Sequence, residues 1–226
     1  MLEAGRDGPD RMKALEQFAR AYWYPVYAFV RRQGADADQA QDVTQEFFEQ
    51  MLEKDWLAGV ERRDTRFSTL LLTILRRFLI SRHRHDTREK RGGGQQAVSL
   101  DMAQAEAWYG VEPQTHETPE SIFEHRFALS VMAAAMAALN AHLHATGRGR
   151  LADVLSPFLS REPSRGEYDT ASAALGLSTN AVAATVRRLR LEARDFVRAE
   201  VAAGLTDEAA IKGEMSHIAA ALRPAD

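Results

Sequence analysis

The sequence predicts an all-α protein of two helical domains. Apolar residues recur at three-four spacing over long segments, which is the period of a helix with one buried face. Alanine and leucine are abundant, and strand-like alternation is scarce. Glycines and prolines fall between the periodic segments, where helices stop and start. The chain has 226 residues, enough for one large domain or two small ones, and its 45% hydrophobic content is ample for buried cores. It has no cysteine, which excludes disulfides and thiolate metal sites and fits a reducing cytoplasm. No stretch is expected to span a bilayer, and the opening MLEAGRDGPDRMK lacks an apolar signal core. A cytoplasmic protein with no membrane contact is the expectation.

The first helix is expected from about Asp10 to Gln33. Its apolar stripe is Leu15, Phe18, Ala19, Tyr22, Val26 and Val30, widened by Trp23, Tyr27 and Phe29. Pro25 either kinks this helix or sits in the first turn of a second one. Gly34 is a C-terminal stop. Asp36 or Asp38 caps the next helix, which runs to about Asp55 and buries Val43, Phe47, Met51 and Leu52. That helix carries seven acids against one lysine.

Residues 66–84, RFSTLLLTILRRFLISRHR, form a third helix with Leu71, Ile74, Leu75, Phe78 and Leu79 on one face. Arg76, Arg77, Arg82 and Arg84 lie on the other. From Arg76 to Arg91 there are seven Lys/Arg against two acids, although the net charge of the whole chain is only −3. Such local basicity suits either a solvated helix end or phosphate contact.

Residues 92–118 read as a linker, rich in Gly and Gln, although Trp108 and Tyr109 suggest that part of it packs on a domain. Another helix follows from Pro119 to about Ala145, with Ile122, Phe123, Phe127, Leu129, Val131 and Met132. A short one follows with Leu151, Val154, Leu155, Phe158 and Leu159, then a turn at Pro163–Gly166.

The segment YDTASAALGLSTNAVAATVRRLR (168–190) has the spacing of a helix-turn-helix. A short helix ends at Leu175, Gly176 makes the turn, Leu177 plugs inward, and Ser178 caps the second helix. Val182, Val186 and Leu189 are buried. Thr179, Asn180, Ala183, Arg187 and Arg188 then face outward, with side chains suited to base edges and phosphates. Thr206–Leu222 is an amphipathic helix with Ala210, Ile211, Met215, Ile218 and Leu222 on one face; it packs on the second domain or binds a regulator. The expected organisation is thus 1–91, a linker at 92–118, a second domain at 119–204 and a helical extension at 205–226.

Three blocks together resemble the sigma-70 family of the extracytoplasmic-function (ECF) type, over most of residues 15–200. DVTQEFFEQML (42–52) resembles the polymerase-binding helix of sigma region two. RDTRFSTLLLTILRRFLISRHR (63–84) resembles the DNA-melting and minus-ten-reading helix of the same region. The third block is the helix-turn-helix, which resembles the region-four module for the minus-thirty-five element. The opening YWYPVYAFVRR and the RGGG linker look like a branch often encoded with Ser/Thr kinases. The resemblance implies core RNA polymerase and promoter DNA as partners, with a Ser/Thr kinase or an anti-sigma factor as a regulator. It implies no enzymatic activity and no cofactor. It places polymerase contact on Asp42, Gln45, Glu46 and Glu49. Promoter contact falls on Arg76, Arg77, Ser81, Arg82, Arg84, Ser178, Thr179, Asn180, Ala183, Arg187 and Arg188.

The family usually has Trp where Leu70 stands, Asn at Arg77 and Asp at Ser81, so the pocket for a flipped base is partly changed. It also has acids where Gln39 and Gln41 stand. Phosphorylation of Thr44 would restore negative charge there, so Thr44 is a candidate switch site. His83/His85 and His142/His144 are H-x-H pairs, but i and i+2 point to different helix faces and make poor metal sites. Competing readings are a stand-alone helix-turn-helix regulator and an adaptor that binds only proteins.

Overall fold

The structure, a computed structural model, describes residues 9–53, 66–86, 108–109, 118–202, 205 and 207–223; among these, all regular structure is helical. The helices are α1 (Pro9–Arg32), α2 (Ala37–Glu53), α3 (Phe67–Asp86), α4 (Pro119–Ala145), α5 (Gly149–Leu155), α6 (Glu167–Leu175), α7 (Thr179–Ala202) and α8 (Glu208–Ala221), with a 3-10 turn at Ser156–Phe158 after α5. Most of the expected linker, the basic run 87–91, and the side chains of Leu15, Phe18, Leu52 and Arg84 lie outside the described residues. The chain divides into two compact units, Met1–Ser130 with Ala203–Asp226, and Val131–Ala202. The division thus falls within α4, whereas the sequence pattern places it at the Gly- and Pro-bearing segment 92–118. The extension at 205–226 groups with the first unit.

In the first unit α1 is the central helix. Tyr22 to Val30 are all buried, so the helix is covered all round and not along one stripe. Pro25 lies inside one continuous helix. Its missing N–H and ring are disfavoured in a helix interior by about 3 kcal/mol, which burial of the surrounding aromatics offsets. Gly34 ends the helix at φ +97°, a conformation open to glycine.

Helix α2 begins with a capping box. Asp36 Oδ1 accepts the Gln39 N–H at 2.8 Å, and Gln39 Oε1 accepts the Asp36 N–H at 3.4 Å. Gln39 therefore has a local task, closing the cap of α2. Val43, Phe47, Phe48 and Met51 enter the core with Leu71, Leu75 and Phe78 of α3. The Phe47 and Phe78 rings meet edge-on at 5.5 Å.

Thr118 caps α4 by accepting the Ser121 N–H at 3.2 Å, with Pro119 in the first turn. The first half of α4 delivers Ile122, Phe123 and Phe127 to this core, and Phe127 stacks on Tyr22 at 5.1 Å. Trp108 meets Tyr24 edge-on at 5.0 Å, and Arg31 lies over the Tyr109 ring at 4.5 Å, so these two aromatics do pack.

The second unit has its own core of Leu139, Leu143, Leu155, Phe158, Val182, Val186 and Leu189. Two expected apolar positions of α4 differ: Leu129 is 39% exposed and Met132 half-buried, because the buried line runs through Phe127, Val131, Ala135 and Leu139 instead. Helix α4 is also long and apolar enough to cross a membrane, contrary to the expectation that no stretch comes near that length. Its buried residues line the two cores.

Candidate functional site

In the first unit the candidate surfaces are the outward faces of α2 and α3. Asp42 is exposed. The other three acidic-helix candidates are half-buried and tied to one another or to neighbours. Gln45 Nε2 donates to Glu49 Oε1 at 3.0 Å, and Gln50 Nε2 donates to Glu46 Oε1 at 3.0 Å. Each pair is spaced i, i+4 and stiffens the helix face. Glu46 Oε2 also lies 3.3 Å from Arg82 Nε, so the acidic face of α2 and the basic face of α3 adjoin and share an ion pair.

Thr44 requires a correction. Its surface is fully buried, and its hydroxyl donates to the Ala40 carbonyl at 2.7 Å. The sequence places it on a helix next to acids, but the face it occupies is that of Ala40, Phe47 and Phe48. A kinase has no access to it in this fold, and a phosphate there would be desolvated without a partner.

On α3, Arg77 and Ser81 are exposed and one turn apart. Arg76 is paired with Glu120 in the first turn of α4, and the guanidinium holds that carboxyl below its usual range. Arg82 is three-quarters buried against Glu46. The basic face is therefore divided into two arginines with internal acidic partners and an open strip of Arg77, Ile80, Ser81 and His83. Ile80, 54% exposed, is not singled out by the sequence pattern. Its only signal there is that it falls outside the apolar stripe.

In the second unit α6 and α7 form the helix-turn-helix. Gly176 adopts φ +66°, and its N–H and that of Leu177 both reach the Ser172 carbonyl, which joins the 5→1 bond of an αL ending to the 6→1 bond of a Schellman ending. That geometry turns Leu177 outward, 37% exposed, and corrects the expectation that it plugs the core. Ser178 Oγ accepts the Ala181 N–H at 3.2 Å and so caps α7 as expected. Thr179 donates to Asp169 Oδ1 at 3.1 Å, joining the start of α7 to α6.

Val182, Val186 and Leu189 are buried; Ser178, Thr179, Asn180, Arg187 and Arg188 are exposed, with Ala183 half-buried between them. The arginines of the RRLR run thus separate by role. Arg190 donates to the Phe158 carbonyl at 3.1 Å, the Arg161 carbonyl at 2.8 Å and Glu162 Oε1 at 2.7 Å, and braces the loop after α5. Arg187 and Arg188 face solvent. Glu167, at the start of α6, is gripped by Arg161 at 2.6 and 2.7 Å and by the Ser164 N–H at 2.6 Å, which holds its carboxyl down to about 2.

Both units therefore present helical faces rich in arginine and small polar side chains, the composition that contacts phosphates and base edges. Searches of curated proteins and of solved structures returned no match. A family model does match, over residues 27–154, more than half of the chain and including α2, α3 and the whole of α4. That interval holds the acidic and basic helices whose geometry is given above. The chain belongs to the ECF sigma factors.

Proposed function

We propose that this protein is a promoter-specificity subunit that binds core RNA polymerase through α2, reads a minus-ten element through α3 and a minus-thirty-five element through α7. Its place of action is the cytoplasm. The observation that carries the reading is the position of the family match. It covers α2 and α3, the part that a stand-alone helix-turn-helix regulator or a protein-only adaptor has no need of. The acidic helix supplies polymerase contact by charge complementarity, with Asp42 as an exposed carboxylate and Gln45, Glu46 and Glu49 beside it. On α3, Arg77 and Ser81 meet DNA directly. Arg76 and Arg82 do so after exchanging Glu120 and Glu46 for phosphates. On α7, Thr179 and the cap residue Ser178 lie where a helix N-terminus approaches the backbone; Asn180, Ala183, Arg187 and Arg188 lie along the groove-facing turns.

Promoter mapping by in vitro transcription with core polymerase tests this function. An Arg187→Ala/Arg188→Ala protein keeps polymerase binding but loses upstream-element preference. Its duplex binding also depends less steeply on salt, by about one log-log unit for each of the two arginines that meets a phosphate. Equal transcription from the same start sites by the variant and the parent contradicts the assignment of α7. A kinase partner has no support from the site, since Thr44 is buried.

A further inference from the structure

The N-terminus of α3 is filled by an acid from a distant part of the chain. Helix α8 lays Ile211, Glu214 and Ile218 on the first unit, all buried, with Leu205 just before it. Apolar residues suit that face; a carboxylate that is 1% exposed does not. Glu214 Oε1 accepts the Ser68 N–H at 3.3 Å, one of the backbone donors that the first turn of α3 leaves without a helical partner. Among the described residues, Glu214 Oε2 has no hydrogen-bond partner, and neither does the Ser68 hydroxyl, itself 1% exposed. Around this core lie Arg66, which bonds His217 Nδ1; His217 Nε2, 3.4 Å from Glu124 Oε2; and His125, whose ring nitrogen meets the Ala221 carbonyl at 2.7 Å.

We propose that the start of α3, with the Ser68 N–H, the Ser68 hydroxyl and Arg66, is a binding site for a DNA phosphodiester, and that Glu214 on α8 is its internal occupant. A helix N-terminus favours anions, and serine and arginine beside it supply the hydrogen bonds that a phosphate oxygen accepts. The carboxylate uses this site poorly: one long hydrogen bond is made, and one buried oxygen is left without any. A phosphodiester, whose two anionic oxygens sit wider apart on a tetrahedral centre, reaches both the N–H and the hydroxyl. The ligand is DNA because the same helix carries Arg77 and Ser81 on its open strip. This step rests on the promoter-binding reading above. In the free factor α8 is a plug that competes with DNA for α3. Displacing it adds one phosphate contact to those α3 already makes.

The test is binding of the full chain to a fluorescent single strand of mixed sequence over a salt series. The proteins are the parent, Glu214→Gln, Ile218→Asp, and each variant combined with Arg66→Gln. Glu214→Gln removes the competing charge at nearly constant shape, and Ile218→Asp undocks α8. Both are expected to bind severalfold more tightly, with a log-log salt slope steeper by about 0.7, the value for one added phosphate on a single strand. Arg66→Gln cancels the gain. Parent binding with no gain in Glu214→Gln overturns the plug while leaving the DNA reading intact. Absence of DNA binding by every protein in the set overturns both. Should Ile218→Asp lose its helical circular dichroism, Glu214→Gln decides alone.

Discussion

A buried threonine and a clamped glutamate show how single side chains in this protein are committed to the fold. Thr44 bonds its own helix, as Thr73 and Thr185 do, each donating to the carbonyl four residues back. Thr44→Val keeps the shape and loses one hydrogen bond, so thermal unfolding should register a cost of about 1 kcal/mol or less. Thr44→Glu places a carboxylate in a closed apolar site and should destabilise the first unit by roughly 3 kcal/mol or more. Full stability of Thr44→Glu would show that this face of α2 opens readily. Glu167 gives a prediction of known sign. Its carboxyl titrates in the folded chain near 2, below its ordinary 4.5, so its contribution is present above about pH 4.5 and is lost as pH falls through 2. Glu167→Gln should flatten that acid limb of the stability profile of the second unit, read by circular dichroism, and leave the neutral range with no pH dependence from this group.

Element by element, helix ends decide the geometry of the candidate surfaces. The cap at Ser178 sets the first turn of α7, and with it the exposed positions Thr179 and Asn180. Ser178→Ala should cost about 1 kcal/mol in urea unfolding. Gly176→Ala should cost about 1–2 kcal/mol, because an L side chain resists φ +66°. These features were legible in the sequence because they are local: a glycine after an apolar run, a serine before the next, and an acid ahead of α2, although the return bond from Gln39 was not read there. Periodicity likewise located the buried faces of α2, α3 and α7. What periodicity missed depends on contacts between elements. Leu177 follows the backbone of its helix ending and turns out to solvent; Leu129 falls beside the buried line of α4; Glu214 is buried because α8 sits on the start of α3. The ion pairs of Arg76 and Arg82, which set them apart from Arg77, are also tertiary.

At the scale of the whole molecule, the described residues fold as an all-α protein, as expected of an ECF sigma factor, and the three blocks that carry the resemblance fall on α2, α3 and α6–α7. The allocation of α8 to the first unit was not legible, since an amphipathic face records that a helix is covered and not what covers it. The account predicts one surface for polymerase, on α2, beside the DNA-meeting face of α3 and joined to it through Glu46 and Arg82. The measurement that tests this most directly is capture of core RNA polymerase by the purified full chain and by an Asp42→Ala/Glu46→Ala protein, with folding of both checked by circular dichroism. Stable capture by the parent and at least a tenfold weaker complex with the variant is the predicted result, about 1.4 kcal/mol by the affinity scale. A parent chain that folds, binds DNA and fails to capture core polymerase would contradict the central claim and leave a DNA-binding regulator built on a sigma-factor fold.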